Sequence, residues 1–204
     1  MMRARLRVWM ASTIACCGCA SAPVSYYTLV PPAASPDAQT ASACCVVEIR
    51  NVRIPPQVDR PELVIRRSAE QFDILSNDLW ISPLRDEIRE ALLNDIRAKI
   101  PARQAGPAER ARKVVLWVDV SRFESEPARY ALIETEWRVE RAEDAKSASP
   151  VCKTVAEVPI TGGVPGLVRG YQQAISTVAS SITSKLLDAQ QGAALECPTP
   201  QPPG

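Results

Sequence analysis

The chain has 204 residues, with 24 basic and 23 acidic side chains, seven cysteines and no histidine. The absence of histidine excludes catalytic sites of the Ser-His-Asp and Cys-His kinds. The nearly neutral charge is not the basic footprint of a nucleic-acid-binding protein, and the length is sufficient for one domain with a hydrophobic core.

The first 18 residues have the order of a lipoprotein signal peptide. Three arginines within the first seven residues precede an apolar stretch that ends at Cys17, and Gly18 stands before Cys19. The stretch of about ten apolar residues is too short to span a bilayer, and it fits a signal segment. We expect residues 1–18 to be removed and Cys19 to carry a covalent lipid such as palmitate. Cys17 is a competing lipidation site, and a plain secreted protein cleaved nearby is the other alternative.

Removing these 18 residues leaves 21 basic and 23 acidic residues, a net charge of −2 for the mature chain. Residues 19–43 are rich in Pro and Ala, the composition of a tether. Within them, Tyr26-Tyr27-Thr28-Leu29 has the aromatic and β-branched residues that favour a strand. This strand is able to join the sheet of the domain and hold the tether close to it.

Residues 44–191 have the alternating and helical patterns of one folded domain. Strands are predicted over 45–54, 63–65 and 71–75. A helix is predicted to follow, with Ser82 as its capping residue, Pro83 at its first position, and an apolar stripe from Leu84 to Ile100.

The second half of the domain again has strands followed by a helix. Strand 114–123 alternates, with Trp117 and Phe123 expected on the face opposite Leu116, and Pro127-Ala128 forms the turn to strand 131–139. A further strand over 152–160 leads through two glycines to a last helix near Pro165. The pattern predicts a single α+β domain, with two amphipathic helices packed on one face of a mainly antiparallel sheet. Residues 192–204 are expected to form a disordered Pro-rich tail.

Four cysteines of the mature chain remain for disulfides: Cys44, Cys45, Cys152 and Cys197. Neighbouring residues rarely reach disulfide geometry, so we expect a bridge from the Cys44–Cys45 pair to Cys152 or Cys197, with the partner left open. Without histidine and Cys-x-x-Cys spacing, no metal site is expected.

The sequence has few candidates for catalysis. Glycines in 162–166 precede a helix, as in a phosphate site, but the Lys-Ser/Thr of a Walker loop is missing. Ser184-Lys185 and the pair Glu134/Glu136 lack a supporting motif. We therefore expect a protein that is not an enzyme and that needs no cofactor besides its covalent lipid.

The segment 54–61, Ile-Pro-Pro-Gln-Val-Asp-Arg-Pro, joins two predicted strands. One interpretation is a rigid connection with a local Asp59–Arg60 ion pair, which contributes about 0–1 kcal/mol if exposed. The other is a loop ordered to meet a partner. The composition of the segment does not decide between these two interpretations.

At this segment the sequence resembles the ABC-type transport auxiliary lipoprotein family (PqiC- or YmbA-like). Four landmarks agree in order: Tyr-Tyr-x-Leu after the lipid cysteine (26–29), Ile-Pro-x-x-x-Asp-Arg-Pro-x-Leu-Val-x-Arg (54–66), Trp before Pro-Leu (80–84), and Phe-Glu (123–124) ahead of a strand with Trp137. The family often has Tyr-Leu where this chain has Gln57-Val58. The resemblance spans about residues 19–187.

The resemblance implies a non-catalytic outer-membrane lipoprotein that faces the periplasm. Such proteins work with an MCE-domain membrane protein, and sometimes an ABC transporter, in moving lipids between membranes, and relatives assemble into rings. The residues that it suggests for partner binding are Asp59, Arg60, Pro61, Tyr26 and Tyr27. Ala20, rather than Asp, follows Cys19, which agrees with the outer membrane. The alternative is an independent lipoprotein that binds a ligand, the cell wall or another envelope protein.

Overall fold

The computed structural model describes residues 22–32, 45–100, 112–141, 149–190 and Cys197. The predicted signal peptide, Cys19 and Cys44 lie outside the described residues, as do 33–43 of the predicted tether. The described strands are β1 Ser25–Tyr27, β2 Cys45–Arg53, β3 Glu62–Arg66, β4 Phe72–Trp80, β5 Arg112–Glu126, β6 Tyr130–Arg141 and β7 Cys152–Pro159. The described helices are α1 Leu84–Lys99 and α2 Gly163–Gln190.

The strands form two mixed sheets. The larger has the order β2-β5-β6-β7, with β2 parallel to β5 and the other pairs antiparallel. The smaller has the order β1-β4-β3, with β1 parallel to β4 and β3 antiparallel to it. The α+β class and the two helices are confirmed, but the strands divide between two sheets where one was predicted.

Both helices lie against the larger sheet and against each other. Helix α2 packs on β6 and β7, while α1 packs on α2 and β2. Their apolar stripes are buried, as the spacing predicted, and β7 buries every second residue. Three aromatic rings of the core join the two sheets. Phe123 of β5 stacks on Tyr171 of α2 at 4.0 Å between ring centroids. Trp80 of β4, in the smaller sheet, meets both rings edge-on at 6.2 and 6.4 Å.

Phe123 lies on the core face of β5, so its predicted orientation is wrong. The pairing of β5 with β6 shifts between Val120 and Arg122. A β-bulge adds one residue to a strand and exchanges the faces of every residue beyond it. Leu116 and Phe123 are therefore both buried. Trp117, which precedes the bulge, has the predicted opposite orientation and is partly exposed.

The start of α1 also differs from the prediction. Pro83 occupies the N-cap position, Leu84 is the first helical residue, and no side chain caps the helix. The hydroxyl of Ser82 instead donates a hydrogen bond to the Glu87 carboxylate at 2.6 Å. The expected role of Ser82 as a cap and the expected place of Pro83 are therefore wrong. Asp86 and Glu87 lie in the first turn, where acidic side chains interact favourably with the helix dipole.

Cys152 and Cys197 form a disulfide, with their Cα atoms 5.2 Å apart. The expected bridge from Cys44 or Cys45 to one of them is wrong. Cys45 begins β2 and Cys152 begins β7, which are opposite edges of the larger sheet. Three strand spacings separate these edges, about 14 Å, whereas a disulfide spans less than about 7 Å between Cα atoms. The rest of the predicted tail lies outside the described residues.

Candidate partner-binding site

The Asp-Arg-Pro segment is a fixed turn between β2 and β3. Pro56–Val58 form one turn of 3-10 helix, and the Val58 side chain is buried in the core. The Val58 amide donates to the Pro55 carbonyl at 3.1 Å, and the Arg60 amide donates to the Val58 carbonyl at 2.9 Å. The segment therefore has its backbone held internally, and its polar side chains are displayed on a rigid support.

The two charged residues of the segment have separate partners. Asp59 pairs with Arg85 on the first turn of α1. The Arg60 Nε donates to a Glu62 carboxylate oxygen at 2.9 Å, and this hydrogen bond lowers the pKa of Glu62. The local Asp59–Arg60 pair, one of the two interpretations of the sequence, is not formed. The ion pairs instead connect the segment to α1 and to the start of β3.

The smaller sheet brings the tyrosines to the same end as this segment. The Trp80 amide at the end of β4 donates to the Pro61 carbonyl at 2.8 Å, and the next amide, of Ile81, donates to the Tyr27 carbonyl at 2.9 Å. The strand predicted around Tyr26 and Tyr27 is thus confirmed as β1. Pro61 and Tyr27 lie on the two sides of β4.

The predicted binding residues differ in exposure. Tyr26 is 61% exposed, and Asp59 and Pro61 are also exposed. Arg60 and Tyr27 are half-buried. The Tyr27 hydroxyl donates to Asp78 at 3.1 Å, and burial, followed by this hydrogen bond, raises the Tyr27 pKa. Tyr26, Asp59 and Pro61 are the members of the set that a partner can reach most directly.

A buried carboxylate, Glu87, fixes the segment that follows β1. It accepts hydrogen bonds from the Thr28 hydroxyl at 2.7 Å, the Leu29 amide at 2.8 Å and the Ser82 hydroxyl. Gln172 of α2 donates to the Thr28 carbonyl at 3.1 Å. A glutamate in the first turn of a helix is ordinarily explained by the helix dipole. The proximity of Thr28 and Glu87, which are 59 residues apart, has no signal in the sequence.

An ion pair that the sequence did not predict joins the two sheets. The Arg66 guanidinium of β3 donates to the Glu124 carboxylate of β5 at 2.7 Å, and Glu124 also accepts from Arg122 and, at 3.2 Å, from Tyr130. Burial alone would raise the Glu124 pKa, but the hydrogen bonds from Arg66 and Arg122 outweigh it and lower the pKa. Arg66 and Glu124 end two of the sequence landmarks, so these landmarks mark a structural contact.

The glycines of 162–166 have a conformational explanation. Gly162 and Gly163 have φ angles of +79° and +60°, in the region that glycine adopts readily. A Cβ atom on Gly166 would overlap the carbonyl oxygen of Thr161. The turn from β7 into α2 therefore needs these glycines for its own geometry, as one interpretation of the sequence held.

Two properties of the described residues bear on function. They contain no cluster of three or more Cys, Asp or Glu side chains that could hold a metal ion. In the same part of the chain, neither helix is both long and apolar enough to cross a membrane. What the site offers chemically is a set of hydrogen-bonding groups and paired charges on a rigid surface.

Comparison with known proteins places this fold in a family. The family model of the ABC-type transport auxiliary lipoprotein component matches residues 27–183. No curated protein matches the chain. A crystal structure of an uncharacterized protein is 19% identical, with a TM-score of 0.63, covering 81% of this chain and 99% of that one.

A second crystal structure, of a Xanthomonas campestris protein in the family DUF330, is 18% identical with a TM-score of 0.59. The match covers 83% of this chain and 98% of that one, so both structures share its fold over nearly their whole length. The family match includes both the Tyr27 and the Asp-Arg-Pro segments, as the resemblance of the sequence predicted. The chain belongs to the family of ABC-type transport auxiliary lipoprotein components.

Proposed function

We propose that the protein is a lipid-anchored docking subunit of an intermembrane lipid transport system that supports membrane integrity. In this proposal Cys19 carries the lipid, the anchor lies in the outer membrane, and the domain faces the periplasm. Its partner is an MCE-domain membrane protein with its associated ABC transporter. Copies of the chain assemble into a ring, and the subunit has no catalytic activity.

The observation that carries the proposal is the rigid display of the Asp-Arg-Pro segment. Its backbone is held by the 3-10 turn, while Asp59 and Pro61 remain exposed. A loop that needs no ordering on binding loses little conformational entropy when a partner docks. The family assignment supports a transporter as the partner.

The direct test is affinity capture from detergent-solubilised membranes, with identification of the co-purified proteins. Asp59→Ala combined with Arg60→Ala should reduce capture of the MCE-domain protein at least about tenfold, since loss of an interface hot-spot residue costs about 2 kcal/mol or more. Because the Asp59–Arg85 pair is substantially exposed, the double variant should remain folded.

A matched control removes one basic and one acidic side chain away from the segment. Lys113 and Glu48 form an ion pair at 2.6 Å on neighbouring strands of the larger sheet, with side chains 55% and 41% exposed. Lys113→Ala with Glu48→Ala should leave capture unchanged. If both double variants capture equally well, the Asp-Arg-Pro segment is structural only. Recovery of a cell-wall component in place of a transporter would favour an independent envelope-binding lipoprotein.

The anchor has its own test. Cells fed a radioactive or alkyne-tagged fatty acid should label the wild-type chain, and Cys19→Ala should abolish the label. Three acyl chains at about 0.8 kcal/mol per buried CH₂ make such anchoring effectively permanent. Label that persists in Cys19→Ala and disappears in Cys17→Ala would move the lipid to the alternative site.

A further inference from the structure

Three exposed apolar side chains lie along the β1–β4 pair of the smaller sheet. Val24, immediately before β1, is 50% exposed, and Tyr26 and Ile81 are each 61% exposed. We call these three residues the N-terminal apolar patch. Tyr26 is in register with Leu79 of β4. Ile81 follows two residues after Leu79, and its amide is bonded to the Tyr27 carbonyl.

The pleat of the smaller sheet explains why the patch points outward. Residues two apart along a strand share a face, and paired residues of neighbouring strands share it as well. Tyr26 and Leu79 are such a pair. Val24 lies two positions before Tyr26 and Ile81 two positions after Leu79, so these two side chains flank the pair on the same face. The next pair in the register, Tyr27 and Trp80, lies on the opposite side, where Trp80 is buried in the core. The patch is therefore a sheet face turned away from the core.

The patch has a short connection to the proposed anchor. Five peptide steps separate Cys19 from Val24, so the Cα atoms of these residues are at most about 18 Å apart even in a fully extended chain. β1 is itself fixed to the domain, since it pairs with β4 and the Leu29 amide is bonded to buried Glu87. A lipid on Cys19 would consequently hold Val24, at one end of this face, within about 18 Å of the membrane, whatever path the connecting residues take.

We propose that the N-terminal apolar patch rests in the interfacial layer of the membrane that holds the lipid of Cys19. The inference depends on the anchoring in the proposed function and adds an orientation to it. Tyrosine rings favour the interface, where their apolar body and polar hydroxyl meet different environments. Valine and isoleucine side chains gain from removal of their apolar surface from water. The face that is exposed in the isolated chain is thereby covered by lipid.

The orientation places the candidate partner-binding site close to the membrane. β1, β4 and β3 are consecutive in the smaller sheet, and neighbouring strands are about 4.8 Å apart. Pro61, bonded to the Trp80 amide across β4 from Tyr27, thus lies only about two strand spacings from β1, on the order of 10 Å. A partner that binds the Asp-Arg-Pro segment would do so beside the lipid surface.

The test uses the full lipidated chain in vesicles of phosphatidylethanolamine and phosphatidylglycerol that contain a spin-labelled lipid. In a Cys44→Ser, Cys45→Ser background, an environment-sensitive fluorophore is attached through Ile81→Cys or Tyr26→Cys. The control is Val155→Cys on β7, an apolar position 47% exposed in the larger sheet. Because all three positions are exposed, the variants should fold, as their urea midpoints would verify.

The expected result is quenching by spin-labelled lipid at positions 26 and 81 that exceeds quenching at 155 about twofold or more. If the chain is acylated and floats with vesicles, but the three positions are equally exposed to water, the membrane contact is refuted while the anchor stands. If the chain carries no fatty acid and does not float, the anchoring itself fails. Protection of position 81 only when the captured protein partner is added would assign the patch to that partner and overturn the proposal.

Discussion

The Arg66–Glu124 pair should be the main electrostatic connection between the two sheets, and Glu124→Gln tests this. The substitution keeps the shape of the side chain but removes the charge that Arg66 and Arg122 share. The side chains of Glu124 and Arg66 are only 8% and 22% exposed. Hydrogen bonds to charged groups contribute about 1.5–3 kcal/mol, and breaking a fully buried pair costs about 3–5 kcal/mol. For this partly solvated pair we expect a loss of about 2 kcal/mol in the free energy of unfolding.

The contribution of this pair to stability depends on pH with a definite sign. The folded-state pKa of Glu124 is lowered, so the pair stabilises the fold above the unfolded-state pKa of a glutamate, near 4.3. This contribution is lost as the pH falls through the lower folded-state pKa, because both states then bind the proton. The wild type and Glu124→Gln should therefore differ at pH 7 and converge at pH values below 4.

Urea unfolding followed by circular dichroism measures both effects. With a slope of about 2 kcal/mol per molar urea, the midpoint of Glu124→Gln should lie about 1 M below the wild type at pH 7. Asp119→Asn is the control, because its exposed pair with Arg53 contributes about 0–1 kcal/mol at most. Equal midpoints for the two variants, or a difference for Glu124→Gln that stays constant as the pH falls, would refute the reasoning.

Three further predictions concern other contacts. Reducing the Cys152–Cys197 disulfide, which joins positions 45 residues apart, should cost about 4 kcal/mol by the loop-entropy relation; an unchanged urea midpoint with and without reductant would contradict this. Glu87→Ala leaves the buried Leu29 amide without its acceptor. The hydrogen exchange of that amide should accelerate, and the free energy of unfolding should fall by about 2 kcal/mol. Unchanged protection of the amide would show that Glu87 does not fix β1. Gly166→Ala should lower the melting temperature and cost about 1–3 kcal/mol, because the added Cβ overlaps a backbone carbonyl, and an unaffected melting temperature would show that the turn adapts.

The sequence was informative wherever structure follows from a repeating local pattern. The alternation in β6 and the four-residue spacing of α1 predicted which side chains are buried. The predicted orientation of Phe123 was wrong because the strand passes through a bulge, which changes the face of the residues beyond it without any change in residue type.

Contacts between distant segments were not accessible in the same way. The disulfide depends on which cysteines share an edge of the larger sheet, and strand order is not encoded in spacing. Arg66 and Glu124 are 58 residues apart, and each resembles an ordinary exposed charge until the two sheets are placed against each other. At the candidate site the sequence identified the Asp-Arg-Pro segment, but it did not show that Arg85 is the partner of Asp59.

The parallel pairing of β1 with β4 has a consequence for the order of folding. Ser25 pairs with Asp78, so the first strand of the described chain has no local partner and must wait for a strand synthesised much later. The β3–β4 hairpin, closed by a hydrogen bond of 2.8 Å from the Arg67 amide to the Gln71 carbonyl, can form by itself first. Contacts over such long sequence separations form late and slowly. Until the hairpin exists, β1 has no strand to pair with, and its docking beside β4 completes the smaller sheet.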